Sequence, residues 1–217
     1  MLTKGKEGGE LKINDMKKGL IFVLFALVSI VSYSQISWNA KVGMNMSNFT
    51  GDSDTDMRVG FNVGVGMEYQ FTDMWSIQPS LMISQKGGKS DLGKDGTVKY
   101  NPMYLEIPVL AAARFAVADN QNIVVKAGPY FAFGIAGKAK YEYEGESEKV
   151  DFFGDGEDQE GAKRFDLGLG VGVAYEIGKF FVSLDGEFGL TKVIDFEVDG
   201  VSNPKNMNFS IGVGYKF

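Results

Sequence analysis

Residues 207–217 read MNFSIGVGYKF. The large apolar and aromatic side chains fall on every second residue, and the residues between them are small or polar. A strand sends successive side chains to opposite faces, whereas a helix would scatter these residues around its circumference. The stretch therefore predicts a β-strand with one apolar face.

The same alternation recurs along the chain. Residues 59–71, VGFNVGVGMEYQF, and residues 165–176, FDLGLGVGVAYE, repeat it most clearly. Five further strands of this kind are predicted at 36–49, 75–87, 100–115, 123–143 and 180–195. Together these segments make eight strands, and bacterial outer-membrane barrels have an even number of strands.

The connections between these strands alternate between short and long. The short ones lie at 72–73, 116–122 and 178–179, and the long polar ones lie at 50–57, 88–99, 144–164 and 196–206. Short turns at one rim and long loops at the other are typical of an outer-membrane barrel. The sequence thus predicts an all-β fold, a single eight-stranded antiparallel up-and-down transmembrane β-barrel, with both termini on the periplasmic side.

The face opposite the apolar one indicates which side of the sheet lines the lumen. It collects six basic and six acidic side chains: Lys41, Lys86, Arg114, Lys126, Lys138, Lys216, Glu68, Glu106, Asp166, Glu176, Asp185 and Glu187. Balanced charge with many glycines suits a narrow interior that its own side chains fill. We expect salt bridges there, with Glu106 pairing with Arg114 or Lys126. A soluble ligand-binding barrel with the apolar face inward is the alternative.

Aromatic residues favour the membrane alternative. They gather where one rim of the apolar face is expected, as an interfacial girdle would: Tyr69, Phe71, Trp75, Phe115, Tyr175, Phe180 and Phe217.

The N-terminus has the order of a secretory signal. Residues 16–19 are basic, residues 20–31 form an apolar run of 12 residues, and Ser32 to Ser34 supply small residues before a cleavage site. Spanning a membrane as a helix takes about 20 residues, so a transmembrane anchor is disfavoured. We predict a signal peptide with an upstream extension over 1–34 and a barrel domain over 35–217.

Composition excludes several classes of function. The chain has no Cys and no His, which removes the usual nucleophile, general base and metal ligand. A net charge of −6 argues against nucleic acid as a partner. The spacing of Asp52, Asp54 and Asp56 is that of a calcium loop, but Met57 stands where that loop needs Gly. No catalytic residue, no cofactor-binding residue and no metal site is predicted, and we expect no enzymatic activity.

Several short motifs resemble a known family. Residues 104–108 read YLEIP, residues 77–79 read IQP, residues 128–130 read GPY, and Lys86-Gly87 closes the predicted third strand. With the terminal Phe217 they resemble the PorT-like outer-membrane β-barrel family of Gram-negative bacteria. The resemblance implies a barrel inserted by the barrel-assembly machinery, and in some members a role in protein secretion. Because proline lacks an N–H, we expect bulges or strand ends at Pro79, Pro108 and Pro129.

The function expected from these observations is a structural or binding scaffold in the outer membrane, in contact with its lipid, with extracellular loops that meet other molecules. Two alternatives stay open: an accessory component of outer-membrane protein secretion, and a narrow channel or porin. Phe152-Phe153, inside an acidic loop, is either a pair that packs the loop or a tip that binds a protein partner.

Overall fold

A computed structural model of the protein describes residues 35–51, 55–91, 96–143, 146–154, 161–194 and 203–217. The strands are β1 (Ile36–Thr50), β2 (Asp56–Gln70), β3 (Trp75–Gln85), β4 (Gly88–Asp91), β5 (Thr97–Ala118), β6 (Gln121–Tyr143), β7 (Glu146–Asp151), β8 (Phe165–Ile177), β9 (Phe180–Gly189) and β10 (Lys205–Lys216). Within the described ranges, no helix is long and apolar enough to cross a membrane. The predicted signal peptide, residues 1–34, lies outside the described residues and stays a prediction.

Eight of these strands close into a ring. Their order is β1, β2, β3, β5, β6, β8, β9 and β10, and β10 pairs antiparallel with β1 from Asn39↔Lys216 to Thr50↔Lys205. A closed ring leaves no free strand edge. The predicted eight-stranded barrel is confirmed.

Two of the predicted loops each contain a further β-strand. β4 lies within 88–99 and pairs with β2 and β5, and β7 lies within 144–164 and pairs with β6. Neither segment has an apolar face, so period-two hydrophobicity could not reveal it. β9 ends at Gly189, before the predicted end at 195.

The two faces of the barrel are the reverse of those of a soluble barrel. On the outer face, Val59 and Leu184 each expose 61% of their surface, while Asn45 exposes 0% and Glu106 2% on the inner face. Apolar side chains outside and polar ones inside are the arrangement that a lipid-facing barrel requires. The soluble-barrel alternative is therefore wrong.

A β-bulge in β6 reverses this alternation near one end. Met103 pairs with Ala136 but its neighbour Tyr104 pairs with Gly134, so Ile135 has no partner in β5. The extra residue moves every later side chain of β6 to the opposite face. Lys138, predicted to face the lumen, is therefore outside, with 60% of its side chain exposed. That prediction was wrong because alternation was extended across the bulge.

The three prolines cause neither bulges nor strand ends. Each keeps its partner in one neighbouring strand, and the pairing with the other neighbour skips locally and resumes in the same register. The retained pairs are Pro79↔Val109, Pro108↔Tyr130 and Pro129↔Leu169. A missing N–H removes one hydrogen bond toward one neighbour, and the flanking pairs hold the register. The expectation of bulges or strand ends was wrong.

The short connections lie together at one end of the barrel, here called the turn end. They are residues 71–74, 119–120 and 178–179. Asn120 and Gly178 both have a φ of 57°, a left-handed conformation that Gly and Asn adopt most readily. The opposite end, which carries β4 and β7, is called the loop end. Of the predicted girdle, Tyr69 is partly buried, and Phe71, Trp75, Phe115, Tyr175, Phe180 and Phe217 are exposed.

Candidate functional site

The lumen is filled by charged side chains in three groups. The group nearest the turn end, the turn-end cluster, comprises Glu68, Arg114, Glu176 and Lys216. Arg114 Nη2 donates to both carboxylate oxygens of Glu68, at 2.8 and 2.9 Å, and to Glu176 at 3.2 Å. Lys216 Nζ donates to Glu68 at 2.8 Å and also pairs with Glu176. These residues come from β2, β5, β8 and β10, so the cluster ties four strands together across the lumen.

The middle cluster consists of Lys41, Lys126 and Asp185. The Asp185 carboxylate lies 2.5 Å from Lys41 Nζ and 2.8 Å from Lys126 Nζ. Glycine at 172 makes room for it, because a Cβ there would lie 2.8 Å from Lys126 Cε. The strand glycines that face the lumen therefore allow long charged side chains to pack.

The loop-end cluster consists of Lys86, Glu106 and Glu187. Lys86 pairs with Glu106, and its Nζ lies 2.9 Å from Glu187 and 4.5 Å from the ring centroid of Tyr130. The side chains of Lys86 and Glu106 are only 1% and 2% exposed. Because an unpaired charge at such depth is costly, loss of the Lys86 ammonium would leave two carboxylates inside the lumen without their cation. We expected Glu106 to pair with Arg114 or Lys126, and that pairing was wrong.

Asp166 accepts three hydrogen bonds above the loop-end cluster. They come from the hydroxyl of Tyr130 at 3.0 Å, the hydroxyl of Thr191 at 2.7 Å and the amide of Asn206 at 2.9 Å. A buried carboxylate needs such partners in place of water. Of the twelve predicted lumen charges, eleven are thus found inside the barrel and Lys138 is outside.

An aromatic cap closes the loop end of the lumen. It consists of Phe49, Tyr100, Tyr104, Phe152 and Phe153. The rings of Phe152 and Phe153 lie 5.0 Å apart, with Tyr104 5.6 Å from Phe153. Both phenylalanines are buried. The pair therefore packs its loop into the barrel mouth, and the interpretation of it as a partner-binding tip was wrong.

The space left between the charged clusters of the lumen is small. One cavity of about 60 Å³ lies between the loop-end and middle clusters, and another of about 50 Å³ lies between the middle and turn-end clusters. Lys41 and Lys126 line both cavities. Each cavity is therefore large enough to hold water.

Sequence reasoning missed some of the polar residues that complete the lumen. The amide of Asn45 donates to Ser84 Oγ at 3.0 Å, and the amide of Asn208 donates to Glu187 at 3.1 Å. The alternating pattern places both asparagines on the lumen face, so it could have predicted their position, but only charged residues of that face were considered. Of the three aspartates with the spacing of a calcium loop, Asp52 and Asp54 lie outside the described residues. Asp56 is exposed and faces Lys89 in the pairing of β2 with β4.

The chain is similar to several proteins of known structure. The chain is similar to solved structures of Ail, the attachment invasion locus protein of Yersinia pestis (17% identity over 83% of this chain and 98% of that chain, TM-score 0.42). It is also similar to Neisserial surface protein A (13%, 85% and 98%, TM-score 0.44) and to OprG from Pseudomonas aeruginosa (13%, 83% and 95%, TM-score 0.46). No curated protein matches the chain.

A family model described as "Outer membrane protein beta-barrel domain" matches residues 29–195, which is most of the chain. The closed ring and the apolar outer face are the features of a barrel that spans the outer membrane. The chain belongs to the family of outer membrane protein beta-barrel domains and is an integral protein of the outer membrane.

Proposed function

We propose that the protein is a structural or binding scaffold that acts through its outer surface rather than through its lumen. The observation that carries this proposal is the filled lumen, in which three charged clusters and the aromatic cap occupy the path between the two ends. An eight-stranded barrel is just wide enough for its side chains to fill. The proposal includes no enzymatic activity, because the chain has neither His nor Cys.

The loop end offers the surface for such a role. β5 and β6 are 22 and 23 residues long, whereas about 9–11 residues suffice to cross the membrane as a strand. Their outer parts pair with β4 and β7 and form a small sheet beyond the apolar belt. We place this sheet on the extracellular side, because short turns face the periplasm in such barrels.

Conductance measured in planar bilayers tests the closed lumen. We expect no stable current steps from the purified protein, with a large porin as the positive control. Reproducible steps that scale with the amount of inserted protein would overturn the scaffold proposal.

A narrow channel is the second candidate, and the two lumen cavities favour it. Lys41, Lys126 and Asp185 separate these cavities, so any ion that crosses must pass the middle cluster. If the lumen conducts, Asp185→Asn should shift its selectivity toward anions, since one negative charge of the middle cluster is removed.

An accessory role in protein secretion is a further proposal. It depends on assignment of the chain to the PorT-like proteins, which rests on the motif Tyr104-Leu105-Glu106-Ile107-Pro108. Tyr104 and Glu106 are buried lumen residues, and Tyr104 belongs to the aromatic cap. Recovery of a periplasmic or surface protein by cross-linking in living cells would favour the secretion role over a free-standing scaffold. The barrel-assembly machinery is the expected transient partner during insertion.

A further inference from the structure

Four lysines stand directly opposite one another across the small sheet of the loop end. In the strand pairings, Lys89 of β4 faces Lys99 of β5, Lys99 faces Lys140 of β6, and Lys140 faces Lys149 of β7. We call these four residues the lysine row. Paired residues of adjacent strands share one face, and Lys99 lies on the same side of β5 as Met103, which faces outward.

Such a row carries an electrostatic cost. Like charges directly opposite each other destabilise a sheet. Glu142 offsets part of this cost, because its carboxylate lies 2.8 Å from Lys99 Nζ and 2.5 Å from Lys140 Nζ. Among the residues that the structure describes, Lys149 makes no ion pair. Lys89 lies 3.9 Å from the carboxylate of Asp91. Within the described residues, the four lysines of the row therefore outnumber the two carboxylates that pair with them, Glu142 and Asp91.

The lysine row borders a groove that leads to the apolar belt. The groove has a volume of about 410 Å³, with Met103, Ala136 and Gly137 on its apolar wall and Lys138, Lys140 and Lys149 on its charged side. Lys138 precedes Lys140 by two residues in β6 and pairs with Asp151, whose carboxylate lies 3.9 Å from its Nζ. The small residues at 136 and 137 follow the bulge at Ile135, so the bulge both opens the groove and turns Lys138 toward it.

From this geometry we infer that the lysine row and its groove bind the phosphate groups of lipid headgroups in the outer leaflet. Lysines close to a membrane surface attract anionic headgroups, each contributing about 1 kcal/mol, which corresponds to about a fivefold change in affinity. A lipid fits better than a soluble anion because the groove joins a cationic rim to an apolar wall. The inference rests on the proposed outer-surface function and names its ligand.

Retention of lipid by the purified, detergent-solubilised barrel tests this inference. Native mass spectrometry would compare diphosphorylated lipid A with the same lipid after phosphatase treatment. The double variant Lys140→Gln/Lys149→Gln should bind the phosphorylated probe about 30-fold more weakly than the unmodified protein, since two charges are lost. The matched control, Lys179→Gln/Lys205→Gln, removes two lysines outside the lysine row, one at the turn end and one in β10, and should stay within about twofold.

A variant that is expected to strengthen lipid binding tests whether the lysine row has only a structural role. Glu142→Gln frees Lys99 and Lys140 from their acidic partner and should tighten binding of the phosphorylated probe about fivefold. Equal binding of both probes, or equal binding by all variants, would overturn the inference. Displacement of the lipid by millimolar inorganic phosphate would do so as well, because it would mean a site for free phosphate. Conductance does not enter this test, so its outcome is separate from that of the closed lumen.

Discussion

The ammonium of Lys86 lies 2.9 Å from the carboxylate of Glu187, inside the barrel and next to the aromatic cap. Lys86 follows β3 and Glu187 lies in β9, so the pair joins strands that are not neighbours in the ring. Glu106 completes the group from β5. The ring of strands is thus closed by backbone pairing and braced across the lumen by charge.

Lys86→Gln should destabilise the barrel far more than Lys138→Gln. Both lysines are predicted from alternation to face the lumen, but one is buried between two carboxylates and the other is exposed. Removing one partner of a buried charged pair costs about 3–5 kcal/mol. An exposed substitution stays within about 0.5 kcal/mol. Urea unfolding in lipid vesicles, followed by tryptophan fluorescence, measures both free energies, and equal values would mean that the loop-end cluster does not brace the barrel.

Much of this fold was readable because lipid and lumen impose opposite chemistry on the two faces of every strand. Lys86 and Glu106 were assigned correctly to the lumen on that basis. Lys138 was not, because one unpaired residue, Ile135, reverses the faces, and no local signal in the sequence marks a bulge. β7 was missed for a related reason, since a strand that leaves the membrane needs no apolar face.

Which lumen charges pair with each other could not be predicted from the sequence. Alternation places a residue on a face but does not fix its height along the barrel, which depends on the stagger of the strands. Glu106 therefore lies beside Lys86 and not beside Arg114, although all three share the lumen. The sequence also could not predict whether Phe152 and Phe153 are buried, because a loop that folds back into the barrel has no periodic hydrophobic pattern.

Gly134→Ala should release the aromatic cap, whereas Gly170→Ala should be tolerated. A Cβ at 134 would collide with the ring of Phe153, while one at 170 would come no nearer than 3.4 Å to any neighbour, the nearest being Leu110 Cδ2. Overpacking a filled site costs about 1–3 kcal/mol. We expect faster proteolysis near Phe153 in the first variant, read by mass spectrometry of the fragments. Unchanged cleavage in both variants would contradict the packing of the cap.

The carboxyl group of Glu142 should titrate far below its usual range. Hydrogen bonds from Lys140 and Lys99 lower the pKa of Glu142 from 4.5 to about 2. A lowered pKa means that the stabilising pairs are fully present above about pH 4.5 and are lost as the pH falls toward 2. NMR titration of the labelled carboxyl carbon in micelles measures this value. Lys99→Gln/Lys140→Gln should return the pKa close to 4.5, and a value unchanged by that variant would mean that the two lysines do not set it.

Because the chain has no Cys, single cysteines introduced at its two ends can test the orientation of the barrel. Ser147 lies in β7 at the loop end, Asp119 lies in a turn at the opposite end, and both are exposed. A membrane-impermeant maleimide added to intact cells should label Ser147→Cys and spare Asp119→Cys until the outer membrane is permeabilised. Labelling of Asp119→Cys alone would mean that the barrel is inserted with its turns outward.

The terminal Phe217 should matter more for assembly than for the stability of the finished barrel. Its ring lies 5.6 Å from that of Tyr215, and Phe180 packs on the same tyrosine at 5.1 Å. Phe217 and Phe180 are 68% and 67% exposed, so replacing either with Ala removes a similar interfacial anchor. We propose that the barrel-assembly machinery recognises the end of β10, which would give Phe217 a role that Phe180 lacks. We therefore expect Phe217→Ala to lower the fraction of folded protein in the outer membrane severalfold relative to Phe180→Ala. Folded and unfolded forms can be separated by their migration on gels before and after heating.

Refolding of the two purified variants into vesicles should proceed to the same extent, because no assembly machinery is present there. A refolding defect of Phe217→Ala in that assay would mean that Phe217 acts only as an interfacial anchor.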